Sequence, residues 1–257
     1  MPPYTDRWID QVRRATEDDA VAGVLLSVDS PGGLVADSHQ IYHELQKLAS
    51  KKPIFVAMKR LAASGGYYVA MGAGIDGRIF VEPTTWTGSI GVIIPRYNAR
   101  DLAEKVGVFA EPLTTGPLKD TLSPFRDITE QEREVWDAII KDSFDRFVGV
   151  IAENRPKLDE EAVRTLATGQ IYTASQAIES GLVDLIGYEE DAIKALAERT
   201  GASDYQVVEY RSDASIFDLL LGASAKQPSV VEQLLDAAVP RALYHCSWNP
   251  IVPGAGF

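Results

Sequence analysis

The stretch that decides the fold reads Lys52-Pro-Ile-Phe-Val-Ala-Met58, followed shortly by Ala62-Ala-Ser-Gly-Gly66. A short apolar run bounded by turn residues predicts a buried strand of a parallel sheet. The glycines then predict a turn, and Tyr67 to Gly72 begins a helix. The sequence therefore predicts a strand, a glycine turn and a helix in direct succession.

The same pattern recurs on both sides of this unit. Upstream, the apolar run Val21–Val28 is broken by Asp29-Ser-Pro-Gly-Gly33 and followed by a predicted helix from about Val35 to Ser50. Downstream, Arg78–Val81 predicts a third strand, with Gly88–Ile94 after it. Such alternation favours an α/β fold with a mostly parallel sheet and flanking helices. Right-handed crossovers would bring the turns after the strands to one edge of the sheet, where ligands usually bind.

The rest of the chain predicts mainly helices. We predict a long helix from Thr129 to Asn154 that begins with a capping box formed by Thr129 and Glu132. We interpret residues 1–201 as the catalytic domain and residues 202–257 as a C-terminal strand, short helices and a tail. The other predicted elements are helices at Asp6–Asp18, Asp159–Ala167, Ala174–Ser180 and Glu189–Thr200, and a short strand within Gly181–Gly187.

Composition excludes several classes of function. The formal net charge of −12 argues against binding to a phosphate backbone, which needs a basic surface. A single cysteine, Cys246, permits neither an internal disulfide nor a Cys-x-x-Cys metal site. The longest apolar runs fall short of the roughly 20 residues that a spanning helix requires, and we find no signal peptide.

Ser64 is the candidate nucleophile. A serine in a strand-to-helix turn can expose its hydroxyl at the sheet edge, and the backbone N–H of Gly65 would then point toward an attacked carbonyl oxygen. The N–H of Gly33, from the neighbouring turn, would supply a second donor of an oxyanion hole. The pattern alone leaves a second interpretation open, in which both stretches are ordinary glycine turns of an α/β sheet.

A serine nucleophile also needs a base. The three histidines are His39 and His43, on the helix that leads away from this edge, and His245, in the tail. A neutral lysine can serve instead if burial lowers its pKa from about 10.4 toward roughly 7–8. Lys119, in Gly116-Pro-Leu-Lys-Asp120, is the candidate.

These motifs together resemble the signal peptide peptidase A family of serine peptidases, within the Clp protease and crotonase superfamily. The resemblance covers roughly Ala20 to Gly201. The motifs occur in the family's order: Val28-Asp-Ser-Pro-Gly-Gly33, Ala62-Ala-Ser-Gly-Gly-Tyr-Tyr68, Thr87-Gly-Ser-Ile-Gly-Val92, Gly116-Pro-Leu-Lys-Asp120 and the segment Gly169–Asp184.

The resemblance implies a crotonase/Clp-protease-like fold of repeated β-β-α units. It implies a Ser/Lys dyad of Ser64 and Lys119, oxyanion donors Gly33 and Gly65, and Ser89 as the residue that orients the lysine. It further implies no metal and no cofactor, while the net charge already argues against nucleic acid as a partner. The expected partners are peptide substrates, such as signal-peptide remnants and other apolar peptides, and copies of the chain in a ring- or dome-shaped homo-oligomer whose sites can combine neighbouring subunits.

The same resemblance leaves the location of the protein open. Family members normally carry a strand before the first helix and an N-terminal membrane anchor, and we recognise neither here. Any membrane association is therefore expected to act through a segment that is not in this chain.

Two other functions remain as alternatives. An acyl-CoA-handling crotonase-like enzyme would use the glycine turns as an oxyanion hole without a nucleophile, and a non-catalytic oligomeric scaffold would use neither.

Two further motifs are set aside. The sequence Gly72-Ala-Gly-Ile-Asp-Gly77 precedes a strand rather than following one, and His39-Gln-Ile-Tyr-His43 lacks the glutamate of a zinc-peptidase motif.

Overall fold

The computed structural model of the chain describes residues 3–210 and 242–246. A six-stranded sheet forms its centre, and a separate two-stranded sheet joins β2 to β8. The strands are β1 (Val24–Ser30), β2 (Gly32–Leu34), β3 (Ile54–Ala63), β4 (Arg78–Val81), β5 (Trp86–Gly88), β6 (Ile171–Thr173), β7 (Leu185–Ile186) and β8 (Leu243–His245).

Strand β3 organises the main sheet. Its first half pairs in parallel with β1 and β4, and its last residues pair in parallel with β5. Strand β7 extends the sheet beyond β4 in parallel, whereas β6 pairs with β5 in the antiparallel direction. The predicted α/β class with a mostly parallel sheet and flanking helices is confirmed.

The helices lie where the sequence predicts most of them. In α5 the capping box is formed, because Thr129 accepts from the Glu132 amide and the Glu132 carboxylate accepts from the Thr129 amide. The α-helices are α1 (Pro3–Glu17), α2 (Val35–Ala49), α3 (Gly65–Ala70), α4 (Arg100–Lys105), α5 (Glu130–Asn154), α6 (Glu160–Leu166), α7 (Ala174–Glu179) and α8 (Glu189–Thr200). A short 3₁₀ turn, Met71–Ala73, follows α3.

Helices cover both faces of β3. Val56 and Met58 pack into the larger core cluster, which includes α2, whereas the alternate residues Phe55 and Ala57 pack with Leu196 of α8. This alternation is the period of two that a strand imposes on its side chains. Because β3 is buried on both faces, its sequence is continuously apolar.

The structure corrects the ends of several predicted elements. Strand β3 continues past Met58 to Ala63, because Leu61–Ala63 pairs with β5, and the turn begins only at Ser64. Helix α4 and strand β6 had no predicted counterpart. Strand β8 lies in the part of the chain that was interpreted as a tail, which includes His245. The short helices predicted in this C-terminal part lie outside the described residues. None of the helices in the described parts is long and apolar enough to cross a membrane.

Candidate active site

Ser64 sits in a tight turn between β3 and α3. Its backbone has φ 54° and ψ −112°, a conformation that non-glycine residues rarely adopt and that concentrates at functional sites. Two hydrogen bonds hold the turn: the Ser64 amide donates to the Gly88 carbonyl at 2.7 Å, and the Ser64 carbonyl accepts from the Tyr68 amide at 2.9 Å. Only 1% of Ser64 is exposed, so the turn is fixed by its surroundings.

Gly65 and Gly33 lie side by side at this turn. A β-carbon on Gly65 would stand 2.9 Å from the Gly33 nitrogen and 2.7 Å from the Ser38 hydroxyl oxygen. A β-carbon on Gly32, whose φ is +104°, would stand 2.7 Å from the Gly65 nitrogen. The structure thus brings together the two predicted oxyanion donors, and only glycines leave room for this approach.

Ser89 also has a left-handed backbone, with φ 49°, and is buried. It directly follows Gly88, whose carbonyl receives the Ser64 amide, and its own amide donates to the Gln170 carbonyl at 2.7 Å. The strand β5 therefore carries Ser89 to the same end of the sheet as the Ser64 turn.

Lys119 is not hydrogen-bonded to any of these residues in the described part of the protomer. It is exposed in a turn where its amide donates to the Gly116 carbonyl at 3.2 Å. Among the described residues of one protomer, its side chain makes no hydrogen bond or ion pair with Ser64 or Ser89. In the described part of one protomer, the proposed base is therefore not hydrogen-bonded to the proposed nucleophile.

The turn that carries Lys119 is anchored through its neighbour, Asp120. Arg126 donates to Asp120 at 2.8 and 3.0 Å and to Glu132, in the first turn of α5, at 2.8 Å. The hydrogen bonds from Arg126 lower the pKa of Asp120 and lower the pKa of the fully buried Glu132 to about 2. Both carboxylates are therefore charged at neutral pH and fix the turn to the start of α5.

A groove beside the Ser64 turn is filled by the chain's own residues 242–246. Strand β8 runs antiparallel to β2, with Gly33 opposite Tyr244. On the opposite side, Ile93 and Leu243 exchange two backbone hydrogen bonds of 3.0 Å. The segment is thus bonded along both edges, as an inserted strand would be.

Tyr244 occupies the deepest position in this groove. If Gly32 carried a β-carbon, that atom would lie 2.0 Å from the Tyr244 carbonyl oxygen and 2.7 Å from the Gly65 nitrogen. Both backbone atoms are therefore close to Gly32. Its side chain is fully buried between the rings of Tyr68 and Phe147, and its hydroxyl donates to the Ser143 carbonyl at 2.6 Å. The arrangement can hold an extended peptide with one carbonyl turned toward the amides of Gly33 and Gly65.

Comparison with known proteins decides the family. The family model described as peptidase family S49 matches residues 46–203, which contain Ser64, Ser89 and Lys119. The chain belongs to peptidase family S49. It is a serine peptidase of the signal peptide peptidase A type.

Two relatives, from Enterococcus faecium and Arabidopsis thaliana, agree with this assignment. The Enterococcus faecium protein named "Putative signal peptide peptidase SppA" is 40% identical over 93% of this chain and 72% of its own length. The chloroplastic serine protease SPPA of Arabidopsis thaliana is 31% identical over 71% of this chain, but only 26% of its own length. A solved ClpP1 mutant from Listeria monocytogenes aligns with a TM-score of 0.47 at 16% identity, over 74% of this chain and 88% of that one.

Sequence reasoning missed three residues around this S49 site. Tyr244 lies far along the chain, and no local pattern signals that it would reach the groove. Ser38 has a fully buried hydroxyl without a hydrogen-bond partner beside Gly65, yet in sequence it is one polar residue of an amphipathic helix. Arg126 contacts Asp120 and Glu132, each six residues away along the chain, and no sequence pattern singled out this arginine, so only the folded loop reveals its role.

Proposed function

We propose that this S49 peptidase is an endopeptidase that binds extended peptides in the groove between β2 and Ile93 and cuts them with a Ser64–Lys119 dyad. The observation that supports this most directly is the segment 242–246, which lies in that groove as a strand with the Tyr244 carbonyl beside Gly33 and Gly65. The expected substrates are signal-peptide remnants or other apolar peptides, since buried apolar and aromatic side chains line the groove. The catalytic unit would comprise residues 1–201, with 202–257 contributing the groove segment.

In the proposed mechanism, the Ser64 hydroxyl oxygen attacks the carbonyl carbon of the substrate while its proton passes to the neutral amine of Lys119. The negative oxygen that forms accepts hydrogen bonds from the amides of Gly33 and Gly65. The carbon–nitrogen bond then breaks, and the Lys119 ammonium returns its proton to the leaving amine. A water molecule, deprotonated by Lys119, attacks the resulting ester. The released Ser64 oxygen takes that proton back from Lys119, and the acid product gives its own proton to solvent and leaves as a carboxylate.

The exposed position of Lys119 favours a site completed by a second copy of the chain. The segment that precedes Lys119 carries large apolar side chains whose exposed fractions range from 51% to 102%. These side chains are Val106, Val108, Phe109 and Leu113. Contiguous exposed apolar side chains commonly mark protein–protein contacts. In a ring-shaped homo-oligomer, this surface would pack on a neighbour and carry Lys119 toward that neighbour's Ser64, where burial would remove water from the amine.

A mixing experiment tests both the dyad and its assembly. Wild type should cut a fluorogenic apolar peptide and react with a fluorophosphonate, whereas Ser64→Ala and Lys119→Ala should lose the hydrolysis while staying folded. If neighbouring subunits supply the two residues, refolding an equal mixture of the two inactive variants should restore about a quarter of the wild-type activity, because random assembly pairs intact residues at that frequency.

The outcomes separate the alternatives. Activity that survives in Ser64→Ala would contradict a serine nucleophile and favour an acyl-CoA-handling enzyme. Mixtures that stay inactive, although each variant assembles, would contradict a shared site. Wild-type protein that binds peptides but neither cuts them nor reacts with the fluorophosphonate would favour a scaffold.

A further inference from the structure

Residues 116–127, which carry the proposed base Lys119 and are called the base loop below, contain a strained backbone position. Leu122 has a left-handed φ of 61°, and among the described non-glycine residues only Ser64 and Ser89, at 54° and 49°, share this property. A bulky side chain disfavours this conformation, which persists only where the surrounding structure holds it. The base loop must therefore be held by contacts from outside it.

Arg96 supplies such a contact from the segment that follows β5. Its Nη2 atom donates to the Ser123 carbonyl at 3.1 Å and also to the Arg126 carbonyl. Because the donor is a cation, these hydrogen bonds are stronger than bonds between neutral groups. The Ser123 amide in turn donates to the Asp120 carbonyl at 3.2 Å, so Arg96 fixes the turn that contains Leu122.

Neighbouring contacts place the two segments side by side. The Ala99 amide donates to the Pro124 carbonyl at 2.7 Å, and Asn98 donates to the exposed Asp127 carboxylate at 2.9 Å. Water weakens exposed contacts of the second kind. Arg96 is half-buried, and its Nε atom is shielded from solvent without a hydrogen-bond partner among the described residues. The side-chain link that is best protected from water is therefore the one made by Arg96.

The segment that carries Arg96 leaves the sheet at a fixed point. Ile90 is completely buried in the larger core cluster, and its carbonyl accepts from the Gly169 amide at 3.1 Å. Arg96 follows six residues later, so its hydrogen bonds tie the base loop to the body of its own protomer. On the other side, Trp136 of α5 donates to the Thr121 hydroxyl at 2.7 Å. The base loop is thus held between the sheet and α5.

We propose that Arg96 is a positioning residue for the base: it holds the strained base loop so that the amine of Lys119 reaches the Ser64 that it serves. The inference rests on the proposed function, because it concerns the same dyad. Arg96 acts through Lys119 and does not itself touch the substrate. A displacement of about 1 Å can reduce the rate of an enzyme about 100-fold, so the loss of this anchor should appear in kcat.

A comparison of kcat with KM tests this role. Arg96→Met keeps most of the side-chain length without its donors, and it should reduce kcat on a fluorogenic apolar peptide by about 10- to 100-fold while KM changes by less than about twofold. Arg96→Lys should recover most of the wild-type kcat, because one nitrogen makes both contacts of Arg96 and an ammonium has three donors. Equal losses of kcat in the two variants, or a loss confined to KM, would overturn the proposal.

Arg100→Met is the matched control. It removes a positive charge from the same segment, but its partners Glu104 and Asp127 are exposed carboxylates. It should keep kcat within about twofold of wild type, since exposed ion pairs contribute little. Equal losses in Arg100→Met and Arg96→Met would assign the effect to charge and refute the anchor. Circular dichroism and size-exclusion chromatography check folding and assembly, and Arg96→Gln replaces Arg96→Met in every comparison if the latter does not assemble.

Mixed oligomers show which chain must carry Arg96. If Arg96 positions Lys119, the two residues must act from the same chain. Placing Arg96→Met on the Ser64→Ala chain, which supplies the intact Lys119, should lower the activity of its mixture with Lys119→Ala by about tenfold or more. Placing it on the Lys119→Ala chain should leave the activity of the mixture with Ser64→Ala unchanged. Equal effects in the two arrangements would contradict the assignment.

The proposed function and this inference fail in different ways. Full activity in Lys119→Ala would refute the dyad and, with it, the role of Arg96. An inactive Lys119→Ala beside a fully active Arg96→Met would refute the positioning alone. If the mixtures of Ser64→Ala and Lys119→Ala stay inactive, both residues of the dyad belong to one chain. The kcat of Arg96→Met against that of Arg96→Lys then supports or refutes the positioning by itself.

Discussion

The carbonyl oxygen of Tyr244 and the amide nitrogen of Gly65 both lie close to Gly32. They lie 2.0 Å and 2.7 Å from the point where a β-carbon on that glycine would stand. Real β-carbons do not approach backbone atoms so closely, and the φ of +104° at Gly32 is also unfavourable for other residues. A side chain at this position would therefore occupy the space that a substrate carbonyl needs.

Gly32→Ala should accordingly reduce peptide hydrolysis by about 100-fold or more, comparable to the loss of an oxyanion donor. The measurement is kcat/KM on a fluorogenic peptide, with the fold checked by circular dichroism. Gly149→Ala is the matched control, because nothing lies within 4 Å of a β-carbon there. Alanine in the interior of α5 should keep the activity and raise the free energy of unfolding by about 0.5–1 kcal/mol. Wild-type activity in Gly32→Ala would show that peptides do not bind beside Gly32.

The groove segment should also compete with added substrate. A peptide can bind only when residues 242–246 are displaced, which raises its apparent KM. Tyr244→Ala removes the buried ring that anchors the segment, so the KM for an added peptide should fall by about 3- to 10-fold while kcat changes little. Tyr188→Ala, which alters an exposed tyrosine, should leave KM unchanged. An unchanged KM in Tyr244→Ala would mean that the segment leaves the groove freely in solution.

Much of this fold could be predicted because its signals are local. The apolar run from Ile54 to Met58 is buried on both faces, so every position needed an apolar residue. The capping box of Thr129 and Glu132 and the bounds of α8 also follow from neighbouring residues. Strand β6 had no such signal, since its three residues are held mainly by antiparallel pairing with β5.

The site could be predicted only in part. The glycine turns and Ser64 follow strands directly, so parallel packing brings them to one edge of the sheet. The pairing of Tyr244 with Gly33 brings together residues more than two hundred positions apart, and no local sequence pattern indicates it. The pairing of Lys119 with Ser64 was expected from the family resemblance. It remains a proposal, because in the described protomer Lys119 is exposed and makes no hydrogen bond or ion pair with Ser64.

The stability of the sheet edge should depend on Asp184. Arg155, of which 9% of the side chain is exposed, donates to both Asp184 oxygens at 2.7 and 2.8 Å, and the Ile79 amide donates to the same carboxylate at 2.8 Å. Asp184→Ala would leave a buried guanidinium without its partner. The free energy of unfolding should fall by about 2–4 kcal/mol, less than for a completely buried pair because part of Asp184 is exposed.

Chemical denaturation at pH 7 measures this loss. Asp142→Ala is the control, because Asp142 is exposed and its contact with Arg146 is 3.9 Å long. That variant should change the free energy of unfolding by less than about 0.5 kcal/mol. Equal effects of the two substitutions would contradict a structural role for the Arg155–Asp184 pair.

Low pH should destabilise the turn that carries Lys119. Hydrogen bonds from Arg126 lower the pKa of Glu132 to about 2, below the ordinary value of 4.5. A carboxyl whose pKa is lower in the folded state stabilises the fold above its ordinary pKa, and this stabilisation is lost as the pH falls from 4.5 toward 2. The free energy of unfolding of wild type should therefore decline across this interval more steeply than that of Glu132→Gln, which has no carboxyl to protonate there.

At pH 7, Glu132→Gln lacks the ion pair with Arg126 that wild type keeps. We expect it to be about 1–3 kcal/mol less stable than wild type at that pH, and the difference should shrink toward pH 3. Glu104→Gln, which alters an exposed pair with Arg100, should follow the wild-type curve throughout. Peptide hydrolysis by Glu132→Gln should also fall, since Asp120 and the neighbouring Lys119 lose their anchor on α5. Parallel stability curves for wild type and Glu132→Gln would show that Arg126 does not hold Glu132 as a charged partner.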